Sequence, residues 1–85
     1  MPPEHDGSVT VRYWAGARAA AGVDEDVLTG CATVGEAVSA AGRLRPALAP
    51  IAAVSTLLLD GRTVHPDDSL SQGDVLEVLP PFAGG

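Results

Sequence analysis

Thr33-Val34-Gly35-Glu36-Ala37-Val38-Ser39-Ala40-Ala41-Gly42 is the stretch with the clearest helical signature in the chain. Thr33 and Glu36 have the capping-box spacing, in which the hydroxyl accepts from the amide three residues on and the glutamate reaches back to the free donors ahead of the helix. Val34, Ala37, Val38 and Ala41 recur at helical spacing, so one aliphatic face must lie on a sheet. Glu36, Ser39 and Ala40 are expected to turn outward. Gly35 costs about 1 kcal/mol relative to alanine, and Gly42 is expected to end the helix as a left-handed C-cap.

The sheet is read on both sides of this helix. Upstream, Val9, Val11 and Tyr13 alternate with Thr10 and Arg12, the period of a half-buried strand. Residues 15–22, nearly all Ala, Gly and Arg, suit one short helical turn ending at Gly22. Residues 23–29, with Val27 and Leu28 after the acidic run Asp24, Glu25 and Asp26, are expected to form a second strand antiparallel to the first. Downstream, Pro46 and Pro50 forbid one long helix over residues 44–53 and predict an irregular crossover. Residues 54–59 read as a strand, Asp60-Gly61 as a type I′ hairpin turn, and residues 62–64 as its return. Residues 65–74 are polar, with only Leu70 expected to tuck inward, and residues 75–79 form the last strand. The fold class is α+β, one main helix on one face of a small sheet. Residues 1–7 form a frayed leader, 8–79 the domain and 80–85 a projecting tail.

The 85 residues carry 11 acidic and 5 basic side chains, a formal net charge of −6. A chain this size buries only somewhat more than about 60% of its unfolded surface, enough for one core but not for a deep private active site. It is therefore expected not to be catalytic alone. All five cations are arginines (Arg12, Arg18, Arg43, Arg45 and Arg62) and lysine is absent. Scattered cations on an acidic chain argue against nucleic acid and against anionic membrane surfaces. The longest mostly apolar stretch, residues 47–59, is broken by Pro50, Ser55 and Thr56 and is shorter than the roughly 20 residues of a spanning helix. The opening residues lack a secretory pattern, so the expected location is cytoplasmic.

Cys31 is the only cysteine. That excludes an internal disulfide, a paired-thiolate zinc site and a cysteine-ligated iron–sulfur cluster. Its reading as a packing residue is preferred to that of a nucleophile served by His65. His5 and His65 lie in polar segments and are expected to be solvated. The acids Asp24, Glu25 and Asp26, and Asp67, Asp68 and Asp74, lack calcium-loop spacing and are expected to form solvated faces. Gly16 and Gly22 do not make a phosphate-binding loop. No metal site is expected.

The chain closes on Leu79-Pro80-Pro81-Phe82-Ala83-Gly84-Gly85. Two terminal glycines arise by chance in roughly one chain in two hundred. Pro80-Pro81 favours extended geometry, so the last six residues can project by about 20 Å. Phe82 either anchors in a partner's pocket or folds back on the sheet. Gly84 and Gly85, without β-carbons, can thread a narrow cleft and present the terminal carboxylate to another enzyme. A carboxylate becomes an acyl donor only once activated, so the chemistry is shared with partners.

Together these features resemble the MoaD/ThiS family of ubiquitin-like sulfur carriers, most of all its molybdopterin branch, the small subunits of molybdopterin synthase (MoaD). The resemblance runs from Val9 to Gly85. It is carried by the strand, short helix and glycine of residues 11–22, the helix start at Thr33, Ala53-Val54, Gly73-Asp74, and above all the diproline and double glycine. It implies a β-grasp fold with a mixed sheet of four to five strands. It implies that Gly85 is adenylated by an E1-like (MoeB-like) adenylyltransferase using ATP. A sulfur donor enzyme then helps convert it to a thiocarboxylate, which enters a MoaE-like large subunit of molybdopterin synthase. There the sulfur passes to a cyclic pterin precursor in molybdenum cofactor biosynthesis. Gly84 is then the slim neck, and Pro80, Pro81, Phe82 and Ala83 the docking segment; no cofactor is held by the chain itself. Ser55 departs from the asparagine common in the family. The rival readings are a carrier for thiamin or cysteine synthesis, a ubiquitin-like protein modifier, and an interaction module. The acidic run 24–26 further suggests a partner with a basic surface.

Overall fold

Val9, Val11 and Tyr13, the apolar phase of the first strand, are buried at the centre of the core. A computed structural model describes residues 8–81, and the expected leader lies outside them. The elements are β1 (Val9–Tyr13), α1 (Ala15–Ala21), β2 (Glu25–Leu28), α2 (Val34–Leu44), a 3-10 turn (Pro46–Leu48), α3 (Ala49–Ala52), β3 (Thr56–Leu59), β4 (Arg62–Thr63) and β5 (Val75–Leu79).

The five strands form one sheet in the order β2-β1-β5-β3-β4. β1 runs antiparallel to β2, with Val9 opposite Leu28, and parallel to β5, with Tyr13 opposite Val78. β5 runs antiparallel to β3, with Leu59 opposite Leu76. The first and last strands are thus neighbours in mid-sheet, and their parallel pairing makes the sheet mixed. Asp60 (φ 53) and Gly61 (φ 78) are both left-handed, as the expected hairpin turn requires. Val64 continues the return, its N–H donating to the Leu57 carbonyl at 2.9 Å.

One sheet face takes the helices. Val34, Ala37 and Ala41 of α2 and Ala17 and Ala21 of α1 are buried against Val11, Leu76 and Val78. The alanines keep the helices close to the sheet, and Leu48 of the 3-10 turn is fully buried among them. The crossover is therefore a core element rather than a loose connection. Ala40, expected outside, is half-buried against the core. Leu70 packs inward as expected.

Gly42 is not the C-cap. α2 continues to Leu44 and is capped at Arg45, whose backbone has left the helical region (φ −128, ψ 84). Pro46 is the cause, because proline excludes the residue before it from helical geometry. Gly42 instead gives α3 room, since a β-carbon there would stand 3.3 Å from Ala49 Cβ. The strand expected from residue 54 starts at Thr56, because Val54 and Ser55 donate back to the Ile51 and Ala52 carbonyls and close α3.

The start of α2 is fully capped. Thr33 Oγ1 accepts from Glu36 N at 3.2 Å and Glu36 Oε1 accepts from Ala32 N at 2.7 Å, the reciprocal capping box. Val34 N and Gly35 N donate to the Asp68 and Pro66 carbonyls, each at 2.9 Å. The 65–70 loop thus satisfies the donors that a helix start otherwise offers to an anion.

Candidate functional site

The last strand leads to the expected carrier tail. Leu79 lies opposite Thr56 of β3, Pro80 is half-buried and Pro81 exposed. Phe82, Ala83, Gly84 and Gly85 lie outside the described residues.

What surrounds the root of the tail follows from strand alternation. Val9, Val11, Tyr13, Leu76 and Val78 point to the helices, so Thr10 and Arg12 of β1 and Val75, Glu77 and Leu79 of β5 line the other face. Leu58 joins them, since it lies opposite Glu77, which also lies opposite Arg12. Trp14 continues this outward phase just beyond β1. Its N–H donates to the Val78 carbonyl at 3.2 Å, and its indole Nε1 donates to Glu77 Oε2 at 3.2 Å. Trp14 is 41% and Leu79 36% exposed, so an aromatic and a leucine flank the point where the chain leaves the sheet. A patch of this make-up on a sheet face is suited to protein contact. Sequence reading reached the tail but missed Trp14, Leu58, Leu79 and Glu77. The signal was present, because Trp14 falls in the polar phase of the first strand.

A strained residue follows. Ala15 opens α1 with φ 48, a left-handed conformation unfavourable to a residue with a β-carbon. It turns the chain sharply out of β1 into the short helix.

Asp24 and Glu25 of the acidic run are exposed, as expected of a solvated face, but Asp26 is turned inward. Glu25 pairs with Arg12 at 3.2 Å, Asp24 with Arg18 at 3.7 Å, and Asp26 with Arg45 at 2.7 Å. Asp26 faces the core side, where it also accepts from the Tyr13 hydroxyl at 2.7 Å. The Arg45 bonds hold the Asp26 carboxyl below the usual carboxylate range, while burial and the bond to Asp26 push the Tyr13 phenol well above its ordinary value. The sequence could not show this, because the pairing is set by the β1–β2 register and by Arg45 at the far end of α2. Of the other acids, Asp68 and Asp74 brace their own loop, accepting from His65 N and Ser71 N.

Cys31 is 8% exposed, and its Sγ contacts the Thr29 carbonyl at 3.8 Å. Burial, aided by the Glu36 charge, pushes its thiol up, away from the thiolate a nucleophile needs. His65 is exposed, and no hydrogen bond among the described residues joins it to Cys31. Among the described residues no group of three or more His, Cys, Asp or Glu is placed to hold a metal ion. Nor is any helix among them long and apolar enough to cross a membrane.

Comparison with known proteins places this architecture. Haloferax volcanii SAMP1 superposes with a TM-score of 0.82 at 27% identity, over 93% of this chain and 100% of that one. A protein named molybdopterin converting factor subunit 1 from Pyrococcus furiosus gives 0.78 at 29% identity, over 88% and 98%. Subunit 1 in the Helicobacter pylori complex of molybdopterin-converting factor subunits 1 and 2 gives 0.69 at 20% identity over 92% and 99%, a likeness of fold. Comparison with curated proteins returned no match. The fold is the β-grasp shared by ubiquitin-like sulfur carriers and modifiers. The model of the ThiS family matches residues 11–85, from within the first strand through the double glycine, and the chain belongs to that family.

Proposed function

We propose that this chain is the sulfur-carrying small subunit of a molybdopterin synthase, with the Gly85 carboxylate as its working group. The observation that carries the reading is the family match running through the terminal glycines, on a domain whose last strand ends at Leu79, just before the closing Pro80-Pro81-Phe82-Ala83-Gly84-Gly85 of the sequence. The likeness to the Pyrococcus furiosus protein favours the molybdopterin branch. The Helicobacter pylori complex favours a large-subunit partner of the MoaE type.

The chemistry divides between this chain and its partners. A MoeB-like enzyme joins the Gly85 carboxylate to the α-phosphate of ATP, releasing pyrophosphate, and sulfide-level sulfur (HS−), supplied by a donor enzyme together with a thiol reductant, displaces AMP to leave a thiocarboxylate. This chain supplies reach and slimness: Pro80 and Pro81 stiffen the exit, Phe82 and Ala83 dock, and Gly84 lets the reacting carbon be approached closely. The outer sheet face, with Trp14 and Leu79 beside the exit, seats the domain so that the tail is delivered in register.

A second reading is favoured by SAMP1, which is named a small archaeal modifier protein and matches over its whole length. In that case Gly85 ends in an amide bond on another protein. The deciding experiment is the mass of the C-terminal tryptic peptide, residues 63–85, from protein isolated from its own host. It contains no Met, Cys or Trp whose oxidation mimics an oxygen-to-sulfur exchange. A sulfur-for-oxygen increase on Gly85 that hydrolysis removes supports the carrier, and a branched peptide supports the modifier. A peptide unshifted even after incubation with ATP, sulfide and the E1-like enzyme overturns both.

A further inference from the structure

The outer sheet face contains a charged group that the described domain leaves without a counter-ion. Arg12 on that face is engaged by Glu25, Nε to Oε1 at 3.2 Å. Glu77, opposite Arg12 on one side and Leu58 on the other, accepts one bond from the neutral Trp14 indole at 3.2 Å. Among the described residues no cation lies within ion-pair distance of it. It is half-buried, between Trp14 and Leu58 and two residues from Leu79 at the tail root.

A carboxylate in this setting constrains whatever covers it. A purely apolar surface docking on Trp14, Leu58 and Leu79 would strip water from Glu77 and return nothing, and an acidic one would be repelled. A guanidinium satisfies both neighbours, because its planar fork bonds a carboxylate while its face stacks on an indole. The chain's net charge of −6 draws a cationic surface toward it over longer range. We infer that Glu77, held by Trp14, is a specificity determinant of this face, selecting a partner protein that presents an arginine from within an apolar surface. This rests on the reading that the tail is delivered into a partner protein, and it adds the chemistry by which that partner is chosen.

The test is calorimetric binding of the full chain to the MoaE-like large subunit of the same organism at low and high salt. Wild type, Glu77→Gln, Glu77→Lys and Trp14→Phe are compared, each first matched in melting behaviour. The expected result is that Glu77→Gln weakens binding roughly tenfold at low salt and flattens its salt dependence. Glu77→Lys loses at least a further factor of about ten, and Trp14→Phe, which keeps a ring face but not the N–H, loses a few fold. Wild-type affinity and salt dependence in Glu77→Gln overturn the inference. A wild-type affinity that does not change with salt does so independently of any variant. If wild-type Gly85 acquires sulfur while Glu77→Gln binds unchanged, only this inference fails; if wild type neither acquires sulfur nor binds, the functional reading fails with it.

Discussion

Tyr13 and Asp26 meet across the antiparallel β1–β2 pair, hydroxyl to Oδ2 at 2.7 Å, and Arg45 closes on the same carboxylate with Nη2 to Oδ1 at 2.7 Å and Nε to Oδ2 at 3.2 Å. Three segments far apart in sequence are tied by one acid whose side chain is 10% exposed. Asp26→Ala removes the shared acceptor and leaves a phenol and a guanidinium without it, an expected loss of about 2–3 kcal/mol in chemical denaturation. Tyr13→Phe removes one bond and leaves the ion pair, an expected loss of about 1–2 kcal/mol.

The same carboxylate sets a pH dependence. Its pKa is lower in the folded protein than in the unfolded chain, because Arg45 and Tyr13 bond the ionised form. The unfolded state therefore binds the proton first, so the contribution is complete above the ordinary carboxylate range and is lost as pH falls through the folded value. Denaturation midpoints of wild type and Asp26→Asn should converge on acidification and stay separated near neutrality. A constant gap down to strongly acidic pH refutes this account.

Gly35 illustrates how a correct local reading can invert its consequence. By propensity alone, Gly35→Ala stabilises α2 by about 1 kcal/mol. In the fold, a β-carbon at residue 35 stands 3.2 Å from both Pro66 Cβ and the Pro66 carbonyl oxygen, the same carbonyl that accepts from Gly35 N. The expected result is a lower melting temperature, with a net loss of about 1 kcal/mol or more as the 65–68 loop is pushed off the helix start. A stabilised Gly35→Ala shows instead that the loop yields freely.

The contrast between Gly35 and Thr33 marks what the sequence made legible. The capping box, the strand alternation, the Asp60-Gly61 turn and the last strand are local patterns, and each lies in the structure where its pattern places it. Gly42 was misread because glycine near a helix end signals a stop, whereas here Pro46 stops the helix and Gly42 serves a contact with Ala49 seven residues on. The pairing of Asp24, Glu25 and Asp26 with three arginines was hidden for a similar reason, since partners 6, 13 and 19 residues away meet only through tertiary structure. Of the candidate site, the tail was legible as composition. Its surroundings, Trp14, Leu58, Glu77 and Leu79, required the sheet order.

Ala15 offers a prediction of opposite sign. Its φ of 48 places an alanine where a β-carbon crowds the following carbonyl, at a cost of about 1–2 kcal/mol. Ala15→Gly relieves that cost while adding freedom to the unfolded chain. The expected outcome is a net gain of about 0.5–1 kcal/mol in denaturant unfolding, and a loss of stability in its place rules out strain at this turn.

The tail should be separable from the fold and intolerant of a change in length. The five strands of the sheet and the core cluster are built from residues within 8–81. Deleting Gly85 is therefore expected to leave circular dichroism and the melting midpoint unchanged while abolishing sulfur loading in the presence of ATP, sulfide and the E1-like enzyme. Adding one glycine after Gly85 tests position rather than presence. It keeps a glycine carboxylate of the same reactivity but carries it about 3.3 Å further along an extended chain. Since a misplacement of about 1 Å can cost a hundredfold in a positioned reaction, loading should fall by at least that factor with binding of the domain preserved. Loading at the wild-type rate by the lengthened chain means that the sheet face does not set the register of the tail, and that the terminus is captured by its glycines alone.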